Sequence, residues 1–402
     1  MKRWKKIALV LLGLILISQI PFAYRRYRLG RLHAAIGRLN TQHTHPAPDA
    51  FAEYKGVMHV HSFLGGHSPG TFEEIIKAAN TNQLNFVMMT EHPSQNFDTA
   101  SMTLKGSHAG ILFVNGNEVA SNNQDRLLVL PGDQSAAQAG GNSTADLLSQ
   151  ARAKQELAFI AYPNEYKSWS GPRADGIEVY NLFTNSKRIN PIITFFDGLW
   201  SYRSYPDLLF ATFYERPSEA LKLWDDQTAG GKRLVATAGN DAHANVGLSL
   251  NDSTGKTILG IKLDPYERSF RLVRMHVLVA HDHGFETESL LSALRDGHCF
   301  IGFDLFGDST GFRFTANNSV EQKIQGDEIH LGNGVRLSVT TPQPARIVLL
   351  RNGVPQEEAS NAPSKEFVVG QPGVYRVEIY LTQLPAPVNS RPWIISNPIY
   401  VL

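Results

Sequence analysis

Cysteine is almost missing from this chain: Cys299 is the single one in 402 residues. An internal disulfide is therefore excluded, and so is a metal site built from clustered thiolates. An excess of either charge is missing too. The 38 basic and 37 acidic residues leave a formal net charge of +1. No broad basic field is available to track a phosphate backbone, so no nucleic-acid partner is expected. Any metal held here must be held by histidine and carboxylate.

Long apolar runs are also scarce, with one exception at the amino terminus. Met1 to Lys6 ("MKRWKK") is cationic, and Ile7 to Tyr24 is apolar apart from Ser18, Gln19 and Pro21. Arg25, Arg26, Arg28 and Arg31 follow. About 20 apolar residues span a bilayer as helix, so the run suffices for one pass. A cleaved secretion signal has the same general form. No small-x-small cleavage site follows, and the arginines read as an interfacial stop, so we read residues 1–28 as an uncleaved anchor. A short basic amino terminus stays in the cytoplasm, which puts the remaining chain on the outer side.

Residues 29–55 read as a linker, helical at first and then polar ("TQHTHPAPDA"), with His43 and His45 as linker residues. Residues 56–306 alternate short strand-like runs with helix-like segments, the signature of a mainly parallel α/β domain of a size that suits a (βα) barrel. "GVMHVHS", "NFVMMTEH", "ILFVNGNEVAS", "RLLVLPG", "LAFIAYPNE", "DGIEVYN" and "RLVATAGNDAH" are the strands. Between the first two lies the helix "TFEEIIKAANTNQ", with Thr71 as N-cap and Glu74 as its capping-box partner. Residues 307–402 change to period-two alternation, with tight-turn signals at Asn333-Gly334 and Asn352-Gly353. They read as a small β-sandwich.

Chemistry-bearing residues gather at the ends of the predicted strands. His59 and His61 end the first, with His67 just beyond. His92 ends the second, Glu118 lies in "GNEV", and Asp241 and His243 end the last. In a parallel barrel these ends meet on one face. Residues two apart on a strand point the same way, so His-x-His and Asp-x-His each aim two ligands at one point. Imidazole with carboxylate suits zinc, manganese or iron(II). Seven ligands exceed the need of one tetrahedral ion, so a multi-metal cluster bridged by Glu118 is expected. Two close ions activate water and clamp an oxyanion, which is machinery for hydrolysing esters.

The stretch "MHVHSFLGGHSPGTFEEIIKAANTNQLNFVMMTEH", with "GNEV" and "GNDAH" after it, resembles the PHP (polymerase and histidinol phosphatase) superfamily over Gly56 to Ala244. "LLSALRDGHCFIGFDLFGDSTGFRF" and "RPWIISNPIYV" resemble, more loosely, its CehA/McbA-like metallohydrolase branch, which carries a β-rich tail. The resemblance implies a distorted (βα)7 TIM-like barrel. It puts His59, His61, Glu118 and Asp241 on a first metal and His67, His92 and His243 on another, with Glu118 and Asp241 serving catalysis. His67 stands where many relatives have aspartate. Where the family reads His-Pro after its middle strand, this chain has Tyr162-Pro163. That departure argues for two ions rather than three, with Glu178 as a further ligand candidate.

The expected activity is metal-dependent hydrolysis of an anionic small molecule, most simply a phosphoester. A carbamate or carboxylic ester substrate, and a non-catalytic binding module stabilised by metal, are the alternatives. Lys167, Arg173 and Arg188 are candidates for holding the substrate's charge, and Tyr162 for donating to a developing oxygen. Trp169, Tyr180 and Trp200 are pocket-wall or core candidates.

Overall fold

In the computed structural model, which describes residues 2–44, 49–186, 190–211, 214–244, 247–251, 257–262 and 264–402, the chain opens with one helix, Lys2–Asn40. His45 and Arg188 lie outside the described residues. This helix is long and apolar enough to cross a membrane. It does not stop at residue 28. Leu32, Ala35, Ile36 and Leu39 form an apolar stripe at helical spacing and are buried in the main core, so residues 29–40 are packed structure rather than spacer. His43 Nε2 then meets the Thr310 carbonyl at 3.1 Å.

Phe51–Val60 is the hub of the sheet and begins five residues before the expected domain start. It pairs in parallel with Phe86–Met89 on one side and Val235–Ala242 on the other. From Phe86–Met89 the pairing passes in parallel to Ile111–Val114, and Glu91 bridges to Asn117 in the next strand. Asn117–Ala120, Arg126–Leu130 and Leu157–Ile160 then pair antiparallel. Gly176–Asn181 and Val235–Ala242 restore the parallel direction and lead back to the hub, so the sheet closes on itself. The antiparallel insert has a simple cause. The link from Ala120 to Arg126 is too short for a crossover helix, which parallel pairing requires. The expected helix after the first strand is Phe72–Thr81, and Thr71 and Glu74 form its reciprocal capping box.

The carboxy-terminal strands are not a body of their own. Arg274–Ala280 pairs antiparallel with the first half of the hub strand, Cys299–Gly302 pairs with it, and Ile394–Ser396 continues the same sheet into Gly373–Tyr380. A boundary at residue 306 therefore cuts a continuous sheet, and one hydrophobic cluster runs through both parts. Two of the expected strands, "NGVRLSVTT" and "ARIVLLRNGV", are a single long strand, Val335–Arg351. It turns back at Asn352-Gly353, where both residues have positive φ. The buried Arg376 guanidinium grips Asp225 with two bonds of 2.7 Å, which fastens the helix Ser218–Ala229 to this sheet.

A second buried junction forms around His276. Its Nδ1 lies 2.8 Å from Glu53 Oε1 and its Nε2 3.1 Å from Asp304 Oδ2, with Arg274 and Arg313 on the same two carboxylates. Burial disfavours charge on this ring, but Asp304 and Glu53 outweigh it and raise the pKa from 6.5 to about 9. A raised imidazole pKa stabilises the fold fully below the unfolded value and loses that contribution as pH climbs through the folded one. The thermal midpoint is therefore expected to fall between pH 6.5 and 9. In His276→Gln, thermal denaturation followed by circular dichroism should show a lower midpoint with most of that slope removed.

Candidate metal centre

Three of the residues at the converging strand ends hold a left-handed backbone: His59 (φ 62°), Tyr162 (φ 48°) and Asp241 (φ 48°). Non-glycine residues seldom adopt this region, and such strain persists only where the surroundings enforce it. At His59 and Asp241 the kink coincides with a register shift between the two parallel strands. His59 and His61 therefore meet at one point because the strand is kinked, not through simple alternation along a regular strand. Gly239 makes room behind them, since a Cβ there would collide with the Glu178 carboxylate.

Glu118 is the centre of the cluster. Its Oε2 lies 3.3 Å from His59 Nε2, 3.4 Å from His61 Nε2 and 3.7 Å from His92 Nδ1. Asp241 Oδ1 lies 3.5 Å from Nε2 of both His59 and His61, and 3.4 Å from His243 Nδ1. The His61 ring is stacked between those of His92 and His243, with centroids 4.6 and 4.3 Å away. His59, His61, Glu118 and Asp241 are buried, and His92 is partly exposed.

Electrostatics divides the imidazoles. Burial, reinforced by the neighbouring His61, lowers His92 to about 3 and His243 to about 4, so both are neutral with lone pairs free to coordinate. Burial works against charge on His59 too, but Glu178 and Asp241 outweigh it and raise this pKa well above the usual range. Burial would push Glu118 up, yet its bond to His59 and the imidazole charges bring it down to about 2. Asp241 is depressed by the same imidazoles against the effect of its burial. The site thus offers ionised carboxylates beside neutral imidazoles, the donor set of a divalent cation.

The donors fit such an ion. Ligand atoms in a tetrahedral zinc-like site at about 2.0–2.2 Å lie about 3.3–3.5 Å apart. That is the spacing of the His59 and His61 Nε2 atoms from Glu118 Oε2 and from Asp241 Oδ1, 3.3–3.5 Å. Among the described residues, both ring nitrogens of His61 and Oδ1 of Asp241 are buried without a hydrogen-bond partner. Orphaned buried polar atoms are rare, and a bound ion is one of the few arrangements that relieve them. Within each of two sets, His59–His61–Asp241 and His61–His92–His243, the ligand atoms all lie within 4.8 Å of one another.

The second set differs from the expected one. His61 takes the place of His67. The turn through Phe63–Gly65 and Gly66 (φ 76°) carries His67 outward, leaving it exposed at the rim with its ring 4.9 Å from His92. Glu178 is not aimed at the donor cluster. Its Oε1 lies 2.8 Å from His59 Nδ1 and its Oε2 accepts from Asn181 at 2.9 Å, the arrangement that orients a ligating histidine. The Tyr162 hydroxyl donates to Asp241 Oδ2 at 2.7 Å, and burial with the nearby carboxylates keeps the phenol protonated. Lys167 is exposed, with its ammonium on the Asn123 carbonyl.

Arg173 is misplaced as a substrate group. It precedes the strand Gly176–Asn181, whose far end carries Asn181 into the site, and its charge is felt by Tyr400 at the opposite end of the barrel. Tyr180 is core, against Tyr214 and Phe303. Trp169 is half-buried against Tyr166, and Trp200 stands beside the amino-terminal helix. Three site residues were not singled out from the sequence. Arg126 lies 3.2 Å from Glu118 Oε1, Asn181 spans Glu178 and Asp241, and Glu91 holds Ser62 and Thr103. Only Glu91 left a local signal, next to His92.

No family model matches this sequence, and no curated protein matches it either. Among solved structures, the chain is similar to a two-domain protein from Bacteroides vulgatus described as containing a predicted PHP-like metal-dependent phosphoesterase. The identity is 14%, over 89% of this chain and 98% of that one, with a TM-score of 0.39. It is also similar to PsfC from Pseudomonas syringae, at 11% identity over 60% and 88% of the two chains, with a TM-score of 0.35. With both scores this low, the site stands on its own geometry.

Elemental analysis of protein purified without chelator should find divalent metal, lost in His61→Ala and Asp241→Asn. Glu178→Gln should weaken metal affinity about 10- to 100-fold, as loss of a carboxylate behind a ligating histidine does. Because His59 carries a proton when no ion competes, affinity should rise with pH. Calorimetric titration in buffers of different ionisation enthalpy should register proton release on binding.

Proposed function

We propose that this protein is a membrane-anchored, metal-dependent hydrolase of the PHP type that cleaves phosphoesters of small anionic molecules. The observation that carries this reading is the Glu118 carboxylate, set among three imidazoles beside buried, unsatisfied atoms of His61 and Asp241. His59, His61, Glu118, Asp241, His92 and His243 would hold two divalent ions, zinc, manganese or iron. Ions bound in this way supply a nucleophile at neutral pH and neutralise charge on the substrate's oxygens.

The protein's own groups complete the site. Asp241 is held by two donors on Oδ2, Tyr162 and Asn181, which leaves Oδ1 directed at the histidines. Tyr162 therefore acts by positioning Asp241, in place of a histidine ligand. The Arg126 side chain is 38% exposed beside Glu118, which gives its guanidinium a free edge for phosphoryl oxygens. That planar cation is the reason to favour a phosphoester over a neutral carbamate or carboxylic ester. For the anchor, support comes from the apolar helix being continuous with residues built into the core. The short basic start of that helix favours an extracytoplasmic catalytic body.

Hydrolysis of p-nitrophenyl phosphate, bis-p-nitrophenyl phosphate, p-nitrophenyl acetate and an aryl carbamate, in zinc, manganese and iron forms, tests the reading. Turnover of a phosphoester is expected, with kcat lowered at least about 100-fold in Asp241→Ala, the scale of losing one essential charge-stabilising group. Arg126→Ala should raise KM for phosphoesters more than for the acetate. Full metal loading without turnover of any of the four would replace the enzyme with a binding module.

A further inference from the structure

The helix Pro191–Ser201 ("PIITFFDGLWS") is unusual for a helix on the outside of a protein. Ile192, Phe195 and Leu199 are 68%, 55% and 67% exposed, and Ile193 and Trp200 are exposed as well. Its one ionisable residue, Asp197, is buried and held by Arg25 Nε at 2.7 and 2.9 Å. The exposed face therefore carries no charge.

The neighbour of this helix is the end of the apolar amino-terminal run. Trp200 Nε1 donates to Gln19 Oε1 at 3.0 Å, the Phe196 and Phe22 rings are 4.9 Å apart, and Arg26 donates to the Trp200 carbonyl. The partners thus run from Gln19 to Arg26, where the apolar sequence gives way to arginines. If the run from Ile7 to Tyr24 crosses a bilayer, at about 1.5 Å per residue it spans roughly 27 Å, close to the hydrocarbon thickness. The contacts then lie at the boundary between acyl chains and headgroups. Tyr24 and Tyr27, both exposed, stand at the same level, where aromatic residues concentrate.

We propose that Pro191–Ser201 is a second membrane-contacting element, lying along the bilayer surface beside the span with Ile192, Phe195 and Leu199 in the lipid. The inference rests on the anchored reading above. Trp, Phe and Leu on the apolar side of an interfacial helix are the residues buried at the headgroup–acyl boundary. An acyl-chain boundary is favoured over a protein partner because this helix packs, through Phe196 and Trp200, against the amino-terminal helix whose preceding apolar turns are themselves exposed.

Full-length protein in phosphatidylcholine vesicles tests this. A nitrobenzoxadiazole label is placed on Leu199→Cys, with Leu12→Cys and Val320→Cys as references. Cys299 is buried and stays unlabelled in the folded protein. With brominated phosphatidylcholine, labels at 12 and 199 should be blue-shifted and lose most of their emission, while that at 320 should not. Quenching at 12 alone overturns the proposal and leaves the anchor standing. Quenching at neither position overturns both. A blue shift at 199 that bromine does not quench marks a protein neighbour, such as a second copy of the chain, and overturns the proposal. Equal quenching at 320 does so too.

Discussion

The site depends on a carboxylate that cannot be left as it is without a counter-charge. Glu118 is almost fully buried, and its Oε2 lies among three imidazole nitrogens. A buried carboxylate is costly unless ionic partners and hydrogen bonds surround it. His59 supplies one partner and Arg126 the other, but His61 and Asp241 keep buried atoms unsatisfied beside it. The fold therefore stores an imbalance of negative charge and lone pairs at one point, which a divalent cation would resolve.

The backbone is arranged to maintain that imbalance. Left-handed residues at His59, Tyr162 and Asp241 re-aim side chains that regular strands would spread over both faces of the sheet. Behind them, Glu178 and Asn181 fix His59 and Asp241, and Gly239 leaves the space they need. Strain of this kind requires a rigid frame. The closed sheet provides it, and the buried pairs at His276 and Arg376 lock that sheet to the carboxy-terminal strands. The carboxy-terminal region is thus part of the support of the barrel, not an appendage.

The amino-terminal helix plays a comparable role on the outside. Its last turns are buried by the body, while its first turns are exposed and apolar. Helix Pro191–Ser201 lies beside the transition between the two. One continuous element therefore connects an apolar exterior with the core that supports the metal centre.

Local patterns made much of this legible. The Thr71–Glu74 capping box, the Asn352-Gly353 turn and the order of ligands at strand ends follow from interactions over a few residues, so sequence spacing carries them. The apolar run at the amino terminus is legible for the same reason. What sequence could not carry depends on partners far apart in the chain. Arg126 and Asn181 are ordinary polar residues until the barrel closes and puts them against Glu118 and Asp241, and Glu178, a ligand candidate by position, meets His59 instead. His67 and Arg173 looked eligible by position, but a turn leaves His67 exposed at the rim beside His92, and the strand direction sets Arg173 at the far end of its strand from Asn181. Sequence alone determined which residue types were available to hold a metal and roughly where each sat along its strand. Tertiary structure decided which of them meet, because only closure of the sheet and the kinks at His59 and Asp241 set their distances.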